Sequence, residues 1–128
     1  MSHRYRYRDL VVWQEARNLA VDVYRLSEQF PKNEIYGLTA QLRRAAVSVP
    51  SNIAEGQGRL TKGEFIQFLG QARGSLLEIL TQLEIAVDLG YLNADDFKTI
   101  DSKTASVLRL LNGLLASLRS QSKAASAE

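Results

Sequence analysis

Residues 43–58 read RRAAVSVPSNIAEGQG. Within and just before them, Leu38, Leu42, Ala45, Val49 and Ile53 recur at steps of three and four, the spacing that lines one face of an α-helix. Pro50 falls inside this pattern. It has no N–H to offer the carbonyl of Ala46, so a kink is expected there, with Ser48 and Ser51 placed to hydrogen-bond backbone groups near the break. Gly56 and Gly58 close the helix. The segment EGQGR is not a phosphate-binding loop, because it follows a helix and lacks the Gly-Lys-Ser/Thr ending.

The polar side of the same stretch is the first candidate surface. At about 100° per residue, Arg44, Ser48, Ser51 and Glu55 fall on one stripe opposite the core row, and Arg59 and Lys62 join it if the helix continues. Arg43 lies to one side. The stripe is either a solvent face or a docking face for a phosphate backbone or another subunit.

Upstream, Val12, Ala16, Leu19, Val23, Leu26 and Phe30 repeat at steps of four and three behind Asp9, a candidate N-cap, and Pro31 stops the run. This gives a first amphipathic helix of about twenty residues, with Trp13, Ala20 and Tyr24 as a second row that widens the core contact or meets a partner. The second helix begins between Asn33 and Leu38. Residues 1–8 form a basic and aromatic N-terminal tail in which Arg4, Arg6 and Arg8 alternate with Tyr5 and Tyr7. That alternation suits phosphates and stacked bases, and equally a flexible tail or an extended piece packed along a neighbour.

Downstream, Thr61 and Glu64 have the spacing of a capping box in front of Phe65. Phe65, Leu69, Ala72, Leu76, Ile79, Leu83 and Ala86 then mark a third helix ending at Gly90, a rod of about 40 Å. Gly70 and Gly74 remove side-chain bulk one turn apart, and close approach by the Ala45 and Ala46 side of helix two is the expected reason. Asn93 caps a fourth helix whose row is Phe97, Ile100, Thr104, Val107, Leu111, Leu114 and Leu118. Leu108, Leu110 and Leu115 broaden that row beyond one seam. A helix so wide is either deeply sunk or faces another subunit, and these three leucines are the candidate oligomer interface.

The fold class that follows is all-α: four helices joined by short turns in an antiparallel up-down-up-down bundle. It occupies residues 9–120 as one domain, and residues 121–128 form a polar C-terminal tail. The 128 residues, 45% of them apolar and 23% charged, are ordinary for a single soluble domain. No run approaches the roughly 20 apolar residues that span a bilayer, and the arginines near the start have no apolar segment behind them, so no membrane partner and a cytoplasmic location are expected. Residues 1–64 hold ten Lys/Arg against seven Asp/Glu, a net +3, and residues 65–128 hold six against seven, a net −1. That bias is mild beside the dense basic patch of a dedicated DNA-binding protein.

Catalytic chemistry finds little to stand on. There is no cysteine, and the single histidine, His3, lies in the tail, which leaves no zinc site, no di-metal Glu-x-x-His site and no Ser-His pair. No cofactor and no metal are expected, and the chain reads as a non-enzyme. Glu78 and Gln82 sit beside the core row of helix three, and Glu78 is expected to pair with Arg43, Arg44 or Arg73.

A longer comparison of motifs points the same way. Leu10 to Trp13, Tyr36-Gly37-Leu38, the run from Arg43 to Gly56, Glu64-Phe65, Phe68-Leu69, Ala72, Gly74-Ser75, Glu78 and Leu89-Gly90-Tyr91 together resemble the bacterial 23S-rRNA intervening-sequence proteins. The resemblance covers residues 9–92 densely and the fourth helix by pattern. It implies a left-handed bundle, a ring-like homopentamer, and encoding within intervening sequences of 23S rRNA genes. It also implies kinship with accessory proteins of diversity-generating retroelements, basic pentamers that bind a reverse transcriptase and nucleic acid. The function expected is therefore a homo-oligomeric, non-enzymatic bundle that takes RNA or DNA through phosphate contacts from Arg4, Arg6, Arg8, Arg44, Arg59 and Lys62. The alternative is a protein-protein interaction scaffold or accessory subunit, docking a protein partner through helix two or the aromatic row of helix one.

Overall fold

The computed structural model describes the backbone of residues 3–127 and the side chains of residues 6–121. Four α-helices carry the fold: α1 (Val11–Ser27), α2 (Leu38–Gln57), α3 (Lys62–Asp88) and α4 (Ala94–Ala127), with short 3-10 segments at His3–Asp9 and Lys32–Glu34. No strand occurs among the described residues. The expected core rows face inward. Val12, Ala16, Leu19 and Val23 of α1 are buried, as are Leu42, Ala45, Val49 and Ile53 of α2. They meet Leu69, Ala72, Leu76, Ile79, Leu83 and Ala86 of α3 and Ile100, Val107, Leu111 and Leu118 of α4. Burying each large aliphatic contributes about 1.5–3 kcal/mol, more than any helix propensity involved, so the seams rather than local preference hold the helices.

Each helix touches two neighbours, α1 against α2 and α4, and α3 against α2 and α4, while the diagonal pairs do not meet. The contacts run in opposite senses. Ser48 meets Ser75, and Gly56, two turns further along α2, meets Phe68, two turns back along α3. Gln29 reaches Asp96, and Asp22, two turns back along α1, reaches Lys103, two turns further along α4. Arg43 near the start of α2 bonds Ser27 at the end of α1. One end of the bundle thus gathers the 3-10 segment, the start of α1, the α2–α3 turn and the later turns of α4. The α1–α2 connection and the α3–α4 turn share the other.

Local chemistry sets the boundaries. Thr61 Oγ1 accepts the Glu64 N–H at 3.2 Å and donates to Glu64 Oε1 at 3.1 Å, and Asn93 Oδ1 accepts the Asp96 N–H at 2.8 Å. After α3, the Tyr91 N–H bonds the Ala86 carbonyl and the Gly90 N–H bonds that of Val87. Gly90 sits at φ 77°, so the reversal needs a residue without Cβ. Asp9 does not cap α1. Leu10 holds the N-cap position, because the chain before it is already wound as a 3-10 helix, with the Leu10 N–H on the Tyr7 carbonyl at 3.0 Å. Residues 3–8 belong to that winding, and residues 1 and 2 of the expected tail lie outside the described residues. At the other terminus the backbone is helical to Ala127, as the end of α4.

Three further expectations change. In α2, which continues through Pro50, the side chain that bonds backbone near the proline is that of Asn52, which donates to the Ser48 carbonyl and hydroxyl, each at 2.8 Å. Ser51 is exposed. Neither Gly70 nor Gly74 is closely approached by α2, since a Cβ at either would meet nothing within 4 Å. The close approach occurs instead at Gly56, where a Cβ would lie 2.7 Å from Phe68 Cβ. In α4, Leu115 is 2% exposed and belongs to the core, and Leu108 is half-buried against it. Intramolecular packing thus accounts for most of the wide apolar face. Leu110 alone of the three is exposed. Among the described residues no helix is long and apolar enough to cross a membrane.

Candidate nucleic-acid interface

The segment preceding α1 is basic and aromatic, and packing orders it. It lies against both α1 and α2. The Tyr7 ring meets Trp13 edge-on at 5.0 Å between centroids, and the Arg8 carbonyl accepts Gln14 Nε2 at 2.7 Å. Arg17, one turn beyond Trp13, lays its guanidinium 5.2 Å from the indole centroid, and Arg8 holds its own 6.0 Å from the Tyr7 ring. A hollow of about 410 Å³ opens among Arg8, Trp13, Gln14, Glu15, Arg17 and Asn18. Cations braced on aromatic faces, beside open space, make a surface on which phosphate and base can both be held.

The α2–α3 turn belongs to the same end of the bundle. Arg59 pairs with Glu55 at 3.3 Å and lies 4.6 Å from the Phe68 ring, both partners being well exposed. Such a pair contributes little to stability, roughly 0.3–0.5 kcal/mol, so the guanidinium is readily redirected to a stronger anion. Lys62 is exposed in the first turn of α3, and Leu60 between these two cations is 99% exposed. Arg6 is exposed as well, and the side chain of Arg4 lies outside the described residues. Arg17 was not among the residues singled out from the sequence. Its spacing of four from Trp13 on a helix was the available signal.

Arg44 stands elsewhere. It projects from the flank of α2 beside Glu78 and Gln82 of α3, in a hollow of about 420 Å³. The stripe it was to share is broken up: Ser48 turns toward α3 and accepts Ser75 Oγ at 3.0 Å, and Glu55 is engaged by Arg59. Nor does Glu78 find its expected cation. Arg43 donates to Ser27 Oγ at 2.8 Å and the Tyr24 carbonyl at 3.2 Å, Arg73 donates to Asn112 Oδ1 at 3.1 Å, and Arg44 is not within ion-pair distance.

Comparison with known proteins agrees with this architecture. Residues 8–113 match the family described as 23S rRNA-intervening sequence protein. No curated protein matches the chain. Among solved structures, a protein of unknown function from the S23 ribosomal protein family of Bacteroides thetaiotaomicron VPI-5482 superposes with a TM-score of 0.78 at 20% identity. The match covers 83% of this chain and 96% of that one, and at that identity it speaks for the fold alone.

Proposed function

For a chain that belongs to the 23S rRNA-intervening sequence protein family, we propose a binding function: a homo-oligomeric, non-enzymatic bundle of the cytoplasm that takes RNA or DNA on one end. One observation supports this most strongly. Arg6, Arg8 and Arg17 come from the beginning of the chain and Arg59 and Lys62 from its middle, yet the helix directions bring both groups to the same end, where Tyr7 and Trp13 brace two of the arginines. Contacts of this kind position a phosphate backbone and carry no sequence information. The ring of five that the family resemblance implies would repeat the patch around an axis, raising the field well above that of one chain.

Binding of a structured RNA and of a duplex DNA by the purified oligomer tests the proposal. Five phosphate contacts give an affinity that falls on the order of 500-fold between 50 and 200 mM salt, with little dependence on sequence. Absence of binding to either probe at low salt would overturn it.

A further inference from the structure

Leu60 stands in the α2–α3 turn, between Arg59 and Lys62, and is 99% exposed. A single exposed leucine on a helix face needs no explanation, because neighbouring side chains shade part of it. Among the described residues the other exposed large hydrophobics are 38–58% exposed, except Tyr36 at 95%. Tyr36 carries a hydroxyl for solvent and lies in the α1–α2 connection, at the opposite end of the bundle. Leu60 has no such polar handle.

Its place before α3 makes that exposure unexpected. Thr61 is the N-cap of α3, so Leu60 holds the position before the cap and Phe65 the fourth position of the helix. Apolar residues at those two positions ordinarily pack on each other as a hydrophobic staple. The Thr61–Glu64 cap is formed, yet Leu60 makes no staple. Phe65 packs instead against the core and beside Gly56. The backbone on both sides of Leu60 is nevertheless fastened. The Gly58 N–H bonds the Ala54 carbonyl at 3.2 Å, the Arg59 N–H that of Gly56 at 3.1 Å and the Phe65 N–H that of Thr61 at 3.2 Å. An ordered turn therefore holds a bare leucine side chain out into solvent, in the middle of the basic end.

We infer that Leu60 is a wedge that enters the base stack of the bound nucleic acid, unstacking one step while Arg59 and Lys62 hold phosphates beside it. The inference rests on the nucleic-acid binding in the proposed function and adds to it a deformation of the ligand. Charge selects the occupant. A leucine flanked by cations fits an apolar base step bordered by phosphates, and the carboxylates nearest to it in sequence are engaged, Glu55 by Arg59 and Glu64 by Thr61. A lipid surface also offers phosphates, but one leucine is too little to hold it, since even a full acyl chain anchors only marginally. Every base has a stacking face, so the wedge keeps binding tolerant of sequence, with pyrimidine–purine steps opening most easily.

Two probes carrying 2-aminopurine, a base that brightens when it loses a stacking neighbour, provide the test. One is a duplex DNA with the analogue at a central TA step, the other a structured RNA with it at a central UA step. The full chain is expected to brighten the analogue on each probe it binds at low salt, and to bring the labelled ends of a bound duplex closer through a bend of about 20–90°. Leu60→Ala should lose the brightening and the bend while keeping the salt dependence of binding, because the phosphate contacts remain. Leu60→Phe, a larger wedge, should keep both signals. Both variants should melt as wild type does by circular dichroism, since so exposed a side chain holds nothing in the fold. Failure to bind either probe would overturn the proposed function and the wedge with it. Binding without brightening, or brightening that survives Leu60→Ala, would overturn the wedge alone. Leu60-dependent binding to anionic phosphatidylserine vesicles, with the bases left stacked, would assign the leucine to a membrane and overturn it likewise.

Discussion

Gly56 is the tightest point between α2 and α3, and its neighbours decide what a methyl group there would do. An added Cβ would lie 2.7 Å from Phe68 Cβ, 3.0 Å from a Phe65 ring carbon and 3.3 Å from the Phe65 carbonyl oxygen. None of these is the free end of a flexible side chain, so the helices must separate. Gly56→Ala is expected to destabilise the chain by about 1–3 kcal/mol in urea denaturation. Gly70→Ala, on an exposed helical face with nothing within 4 Å, should instead stabilise it by up to about 1 kcal/mol. The sequence shows why these roles are easy to exchange. Gly70 and Gly74 stand out as a pair inside a helix, whereas Gly56 sits next to a helix end, where glycine has an ordinary explanation. Which glycine points at a neighbour depends on how each helix is rotated about its axis, and periodicity gives that to within a face, not a residue.

At the scale of elements, the end away from the basic patch is fastened by residues distant in sequence. Glu34, in the α1–α2 connection, accepts the Tyr91 hydroxyl at 2.8 Å through Oε2 and the Leu38 N–H at 3.1 Å through Oε1. The Tyr91 ring also leans on buried Phe30, with centroids 5.8 Å apart. The two turns are thereby clasped together. The Tyr91 hydroxyl and then the Leu38 N–H hold the Glu34 carboxyl below its ordinary pKa of 4.5, and the bond to Glu34, reinforced by burial and by the carboxylate charge, holds the Tyr91 hydroxyl above its ordinary 10.0. A carboxyl with a lowered folded pKa adds stability that is complete above 4.5 and lost as pH falls through the folded value. A phenol with a raised pKa adds stability that is complete below 10.0 and lost as pH rises through the folded value. The melting temperature of wild type should therefore exceed that of Tyr91→Phe across the neutral range, with the gap closing below about pH 4.5 and again above about pH 10. A gap that stays constant through the acid range would show that the clasp does not depend on the carboxylate. Nothing in the sequence pairs Glu34 with Tyr91, 57 residues away, although the caps at Thr61 and Asn93, whose partners lie three residues on, could be read directly. Helix α4 falls between these cases: its breadth was legible, and packing consumes Leu115 while leaving Leu110 outside.

At the scale of the whole molecule, the helix directions sort the charges as well as the core. Arg6, Arg8, Arg17, Arg59 and Lys62 gather at one end, while Glu28, Glu34, Asp88, Asp95 and Asp96 lie at the other. Along the sequence this appears only as a mild bias between halves, because each helix carries one end of its charge pattern to each end of the bundle. The row periods are enough to give four helices. The site required their directions as well, and these showed that Arg44 had to be separated from the residues first grouped with it. The sorting makes a prediction that a diffuse, evenly basic surface would not. Lys62→Ala and Arg17→Ala should each make the dependence of log affinity on log salt shallower by about one for every copy that engages the nucleic acid, and weaken binding alike on unrelated sequences. Arg25→Ala in the last turn of α1 and Lys98→Ala near the start of α4 remove the same formal charge from the acidic end, and should leave the slope unchanged. Net charge falls equally in all four variants, so the comparison isolates position. Equal losses from all four would mean that the chain attracts nucleic acid by its overall charge, with no dedicated end.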